Sequence, residues 1–260
     1  MFKQRVITAV ILGVAFLWLL LNLSSLHFAL VIGVLVVVAG WEWTGLMKIN
    51  TASGKAGYLL LLMLSLILAS SWLGLFDRFD QSRAEQILQV AVALWAVIFL
   101  WVQGYPSSAI LWSSRPVMGL LGILLLTFTW VAVTSILYHG AGQWMLLLAI
   151  VVVALADVGG YVVGNLWGKH KLAPVVSPGK TWEGFAGGIF LQLLFILGLA
   201  LLLPDVAIKD LCVLIIPVAL YSVLGDLFES MLKRNRGVKD SSQLLPGHGG
   251  VLDRIDGFMA

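Results

Sequence analysis

The chain has 260 residues, of which 60% are apolar and only 11% charged, with a mean hydropathy of +1.01 and a formal net charge of +3. A soluble domain is excluded by that composition. A transmembrane β-barrel is excluded too, because the apolar runs are continuous rather than alternating with period two, and the single cysteine, Cys212 within such a run, rules out a disulfide framework.

Eight runs match the roughly 20 helical residues needed to cross a hydrocarbon core of about 30 Å. They are Val6–Leu21, Leu26–Met47, Gly57–Phe76, Gln86–Val102, Pro116–Leu137, Gln143–Leu166, Gly184–Leu203 and Leu211–Leu232. The sequence therefore predicts an all-α, polytopic transmembrane helical bundle, a single integral membrane domain over residues 1–260. The first run follows Lys3 and Arg5, as a secretory leader would. It is nevertheless long, no small-x-small site closes it, and Asn22–His27 leads straight into the second run, so it is read as a span.

With the N-terminus placed in the cytoplasm, only Arg78, Arg83 and Lys209 of the sixteen lysines and arginines fall in the opposite loops. The positive-inside rule then fixes the orientation. The net charge reflects that topology and anionic headgroups, and no nucleic-acid partner is expected. Two loops on the inner side stand out: Trp167–Glu183 and the segment from Lys233 to Asp256. On the other side, Asp77–Glu85 reads as a solvated turn.

Ionisable groups within spans are costly and need a reason. Glu42 stands in a Trp-Glu-Trp triplet near the end of the second run. Trp41 and Trp43 suit an interfacial belt, and Glu42 is read as snorkelling to the headgroups. Asp157 lies in the sixth run, with Gly160 and Gly164 one and two turns further along nearly the same face. Those glycines either admit a neighbouring helix or leave room for a ligand beside the carboxylate.

The Ser177–Gly184 stretch, Ser-Pro-Gly-Lys-Thr-Trp-Glu-Gly, contains Gly179-Lys180-Thr181, but a phosphate loop needs a glycine where Pro174 stands. What remains is a helix start near Trp182, whose free N–H groups favour an anion. Lys180 either adds charge there or anchors the interface to headgroups.

Asp226, Glu229, Ser230 and Lys233 fall at i, i+3, i+4 and i+7, so one helical face presents two carboxylates, a hydroxyl and an amine. Glu229 and Lys233 read equally as an ion pair finishing the helix. Asp226 lies deeper, without a basic neighbour at helical spacing on its N-terminal side, and is assigned a metal or substrate role. Beyond this face, residues 230–256 carry eight of the charged residues plus His248. The glycines of Pro246-Gly247-His248-Gly249-Gly250 exclude helix and let backbone N–H groups approach phosphate oxygens. Asp253 and Asp256 follow around Arg254, and with Asp226 they can converge on Mg²⁺, a hard cation often completed by substrate phosphates.

The pattern S-x-x-K-R-x4-K-D-x5-P-G-H-G-G-x-x-D-R-x-D, from Ser230 to Asp256, resembles the signature of the bacterial phosphatidate cytidylyltransferases (CDP-diacylglycerol synthases). The Ser177–Gly184 stretch, Gly168–Pro174, the Ala-Asp-x-Gly-Gly around Asp157 and the triplet around Glu42 are also similar to that family. The resemblance implies transfer between CTP and phosphatidic acid, giving CDP-diacylglycerol and pyrophosphate with Mg²⁺, a second cation being left open. It implies metal ligation by Asp226, Ser230 and Asp253, and a homodimer in the bacterial cytoplasmic membrane. Loops 167–183 and 233–256 then form the active site. Asp226, Asp253, Lys233 and His248 belong to its reaction centre, and Lys180, Arg234, Lys239 and Arg254 bind phosphates beside Ser177 and Asp157. Family members carry a further span after D-R-x-D, and this chain stops at Ala260, so that span is expected to be missing and the terminal segment to be tethered at one end. Two rivals are a CTP-dependent polyprenol or diacylglycerol kinase, and an ion-coupled transporter using Asp157 and Asp226. Clustering of the polar groups at one face disfavours the transporter.

Overall fold

The computed structural model describes residues 2–245 and 247–260. Outside the described residues lie Met1, the side chains of residues 2–6 and 9 (among them Lys3 and Arg5), and Pro246 of the predicted glycine turn. The helices are α1 (Phe2–Asn22), α2 (Ser25–Leu46), α3 (Ala52–Trp72), α4 (Gln81–Gln103), the short α5 (Ala109–Trp112), α6 (Arg115–Leu137) and α7 (Gly142–Trp167). A hairpin of β1 (Lys171–Ala173) and β2 (Ser177–Thr181) follows, then α8 (Trp182–Leu202), α9 (Ile208–Arg236), the short α10 (Leu252–Ile255) and a 3-10 turn at Asp256–Phe258. Among the described residues seven helices (α2, α3, α4, α6, α7, α8 and α9) are long and apolar enough to cross a membrane, and α1 contributes the shorter apolar helix Val10–Asn22. Each predicted run has its helix, and the chain is a polytopic helical membrane protein.

The boundaries follow local chemistry. Side chains of Ser24, Thr51, Asp80 and Thr181 accept the N–H three residues on and so start α2, α3, α4 and α8. Asp80 thereby turns the end of the predicted solvated loop into a helix cap. At its other end α9 runs past the predicted Leu232, because Lys233, Arg234 and Arg236 suit the negative end of a helix dipole. Gly237, with φ of 75°, stops it in the left-handed conformation that glycine adopts without strain. Not foreseen were α5, the antiparallel β1–β2 pair within the loop at 167–183, and the short α10 with the 3-10 turn that follows it.

The most continuously buried span is α6, which α2, α3, α4 and α7 surround. The polar end of α9 enters the same core: Phe228, Met231 and Leu232 are buried with Trp43, Trp95 and Leu125. Trp43 is thus a core residue whose indole donates to Met118 O at 2.9 Å, while Trp41 keeps the exposed position expected of an interfacial belt.

The most extensive helix contact is between α7 and α8, and glycine makes it possible. A Cβ on Gly188 would stand 2.9 Å from Ala156 O, and one on Gly159 would stand 2.8 Å from Gly187 O. Small residues let the two backbones meet. After α9 the chain folds back on the bundle. Gly225 of α9 leaves space that the Asp256 carbonyl fills, and Met259 is buried.

A candidate active site at the polar end of the bundle

A cavity of about 660 Å³ opens between α7, the β1–β2 hairpin, α8 and the polar half of α9. Asp157, Ser177, Lys180 and Asp226 line it. The α7 glycines serve both purposes the sequence allowed. Gly159 packs against α8, while Gly160 and Gly164 also border the cavity beside Asp157.

The hairpin delivers Lys180. Its two-strand register, Lys171 with Thr181 and Ala173 with Ser177, fixes β2 against the start of α8. The Glu183 carboxylate braces the base by accepting the Lys169 and His170 N–H groups. The Lys180 ammonium then pairs with Asp226 Oδ2. Asp226 Oδ1 accepts from Ser230 Oγ at 3.3 Å, as i and i+4 on α9 permit.

A second constellation adjoins it. Lys233 Nζ is shared between the Glu229 carboxylate one turn away and Asp253 Oδ1 at 2.7 Å. Glu229 is wholly buried, and such a carboxylate left unpaired would cost several kcal/mol. Lys233 offsets that cost, so the pair is structural as well as local to the site. The other oxygen of Asp253 accepts Gly250 N at 2.8 Å and both Ser241 N and Ser241 Oγ at 2.9 Å. Burial alone would raise the Asp253 carboxyl, but the Lys233 and Gly250 hydrogen bonds outweigh it and hold the group at about 2. Asp256 goes the other way: burial first, then the Asp226 charge, push it up to about 7 despite the Gly257 N–H at 2.8 Å.

The structure thus gathers Asp157, Ser177, Lys180 and Asp226 around one cavity, with Ser230 bonded to Asp226 and Lys233 paired with Asp253 one helical turn further along α9. Arg234 turns towards the hairpin, its Nε donating to Val176 O at 3.2 Å. Lys239 and Arg254 are exposed, and His248 is half-buried in the turn closed by its own N–H to Leu245 O at 2.9 Å.

Glu42 corrects the sequence reading. It does not snorkel; it is 2% exposed and hydrogen-bonded to the C-terminal segment. Its partners lie some two hundred residues away, and nothing in its local sequence could have named them.

Among the described residues, no three His, Cys, Asp or Glu side chains form a preformed metal cage. Asp226 and Ser230 are nonetheless neighbouring hard oxygen donors, and the carboxyl groups of Asp157 and Asp256 lie close enough to interact with Asp226. Such a partial set is compatible with a hard divalent cation that completes its shell with water and phosphate oxygens. Asp253 would join it only by exchanging the Lys233 contact.

A second, mostly apolar cavity of about 980 Å³ lies between α4, the hairpin and α9, walled by Trp95, Phe99, Val176, Leu224 and Leu227. Leu172, Phe185 and Val223 belong to both cavities, so a polar and a greasy compartment share a wall.

Three bacterial relatives, each called phosphatidate cytidylyltransferase, align along essentially the whole chain. The protein of Haemophilus influenzae is 40% identical over 288 residues, covering 100% of this chain and 96% of the relative. That of Pseudomonas aeruginosa is 36% identical over 278 residues, covering 100% and 94%. That of Bacillus subtilis is 34% identical over 265 residues, covering 99% and 93%. The model of the cytidylyltransferase family matches residues 3–260, and with relatives of this identity over this length the chain belongs to that family.

Proposed function

We infer that the chain is the enzyme that transfers the cytidylyl group of CTP to phosphatidic acid, giving CDP-diacylglycerol and diphosphate for phospholipid synthesis. The full-length relatives of that name support the activity. The observation that carries it in the structure is the shared wall between the cavity holding Lys180 and Asp226 and the apolar cavity beside Trp95 and Leu227. A soluble triphosphate and a lipid can meet across that wall, with acyl chains in the greasy compartment and phosphates at the lysines.

The chemistry asks little of the protein as a base. Phosphatidate is a phosphate monoester with a second pKa of about 6, so its oxygen is already a nucleophile near neutrality. That oxygen bonds to the α-phosphorus of CTP as the bond to the β-phosphate oxygen breaks and diphosphate leaves. The obstacle is repulsion between two polyanions, and positioning with charge stabilisation removes it. Lys180, paired with Asp226, exchanges that partner for an incoming phosphate oxygen. Lys233, Arg234, Lys239 and Arg254 supply further cationic groups for the triphosphate, and His248 adds a donor from the glycine turn. Ser177 and Asp157 border the phosphate position. Mg²⁺, held by Asp226, Ser230 and Asp253, would screen the phosphates and stabilise charge on the departing diphosphate. Residues 1–260 act as one catalytic membrane domain, with the site built by loops 167–183 and 233–256. The charge bias supports a bacterial cytoplasmic membrane with these loops inside, and family resemblance supports a homodimer.

The position of the isotope tests the reaction. With phosphatidic acid as acceptor, membranes containing the protein should move label into lipid from α-labelled CTP and none from γ-labelled CTP. Lipid labelled from γ-labelled CTP with a diacylglycerol or polyprenol acceptor would establish a kinase instead.

A further inference from the structure

Glu42 lies on α2, outside both cavities, yet its carboxylate grips the segment that carries Asp253. Oε1 accepts Ser242 Oγ at 2.6 Å and Val251 N at 2.9 Å. Oε2 accepts Leu252 N at 2.7 Å and Ser241 Oγ at 3.3 Å. Ser241 Oγ also stands 2.9 Å from Asp253 Oδ2, so one hydroxyl bridges the two carboxylates. The chain wraps over Glu42 so closely that a Cβ on Gly250 would lie 2.6 Å and 2.7 Å from its two oxygens. A neutral side chain could not serve all four donors. Glutamine keeps one acceptor oxygen and would turn its NH₂ towards N–H groups, whereas an ionised carboxylate accepts on both oxygens and more strongly.

We propose that Glu42 is a positioning residue for cytidylyl transfer: by holding residues 241–252 it sets where the Asp253 carboxylate and Arg254 stand relative to Lys233 and Asp226. The same contact that ties the terminal segment to the bundle also aims it. The proposal rests on the reading of Asp253 as a residue of the reaction site, so its test measures the clamp and the reaction separately.

The clamp is read by hydrogen exchange on the purified full chain, comparing peptides across 240–256 with peptides across α2. In Glu42→Gln, residues 241–252 should exchange about tenfold faster or more while α2 keeps its protection. The reaction is read with α-labelled CTP across a range of Mg²⁺ concentrations. Loss of a group that orients a metal ligand costs about 10- to 100-fold, so half-saturation by Mg²⁺ should rise by that factor while the KM for phosphatidic acid stays put. Ser242→Ala removes one donor at a half-buried position, and should move both readings the same way by about three- to tenfold; it decides the matter alone if Glu42→Gln does not fold. Unchanged exchange overturns the clamp. Faster exchange with an unaltered Mg²⁺ dependence makes Glu42 a stabiliser of the fold only and overturns its positioning role. Wild-type protein that transfers no α-label would sink the reading of the function, and this proposal with it, whatever the exchange data give.

Discussion

Lys233 Nζ stands 2.7 Å from Asp253 Oδ1, joining the end of α9 to a residue twenty positions further along the chain. The same ammonium pairs with buried Glu229 one turn back. One amine therefore compensates the buried carboxylate of its own helix and holds that of the returning segment. The Lys180–Asp226 pair repeats the arrangement from the hairpin side. In both pairs a lysine from one element is held by a carboxylate from another.

Asp226→Asn and Asp253→Asn should each lower cytidylyl transfer by about 100-fold or more while the protein stays folded in detergent. Asp226 has two site partners, Lys180 and Ser230, and Asp253 has Lys233, Ser241 and Gly250. Rates at limiting Mg²⁺ check this, and near-normal activity of Asp253→Asn would remove that residue from the metal set.

Cysteines placed at Ser177 and Ser241 in a Cys212→Ser background should resist an impermeant thiol reagent in intact cells and react after lysis. The bias that leaves only Arg78, Arg83 and Lys209 on the far side motivates the expectation. Labelling of either site in intact cells would reverse the orientation.

Thermal stability should carry the signature of Asp256. Burial and Asp226 raise its folded-state pKa from 3.8 to about 7. The folded state thus binds the proton more tightly than the unfolded chain, so this contribution is complete below about pH 4 and is lost as pH rises towards 7. With a chelator present, the wild-type unfolding temperature should fall between pH 5 and pH 8, and Asp256→Asn should flatten that fall. Asp253, held at about 2, has the opposite sign: its contribution is present above about pH 4 and disappears as pH drops towards 2. Equal slopes for wild type and Asp256→Asn between pH 5 and 8 would contradict the raised value.

Gly188→Val should loosen the α7–α8 contact, because its Cβ would stand 2.9 Å from the Ala156 carbonyl, backbone that cannot move aside cheaply. Lower thermal stability and lower activity are expected together, since these two helices wall the polar cavity. Gly198→Val, on the same helix with nothing within 4 Å of its Cβ, is the control and should change neither. Equal effects would locate the cost in helix propensity rather than packing.

By itself the sequence determined the membrane setting and the helical class, and it marked out the two polar loop segments at 167–183 and 233–256. Hydrocarbon offers no hydrogen bonds, so each span must satisfy its own backbone in a continuous apolar helix, and composition alone marks it. The i, i+4 spacing likewise put Asp226 with Ser230, and Glu229 with Lys233, on one helical face. Only the tertiary structure decided the remaining partners. Local spacing fixes which face a side chain shares, but not which carboxylate an amine on another element will reach. Lys180 could have anchored to lipid and instead meets Asp226; Lys233 could have stopped at Glu229 and instead also takes Asp253. Glu42 is the clearest case. Two flanking tryptophans read as an interface, yet the carboxylate is buried, because the C-terminal segment folds over it and brings four hydrogen-bond donors that no local pattern encodes.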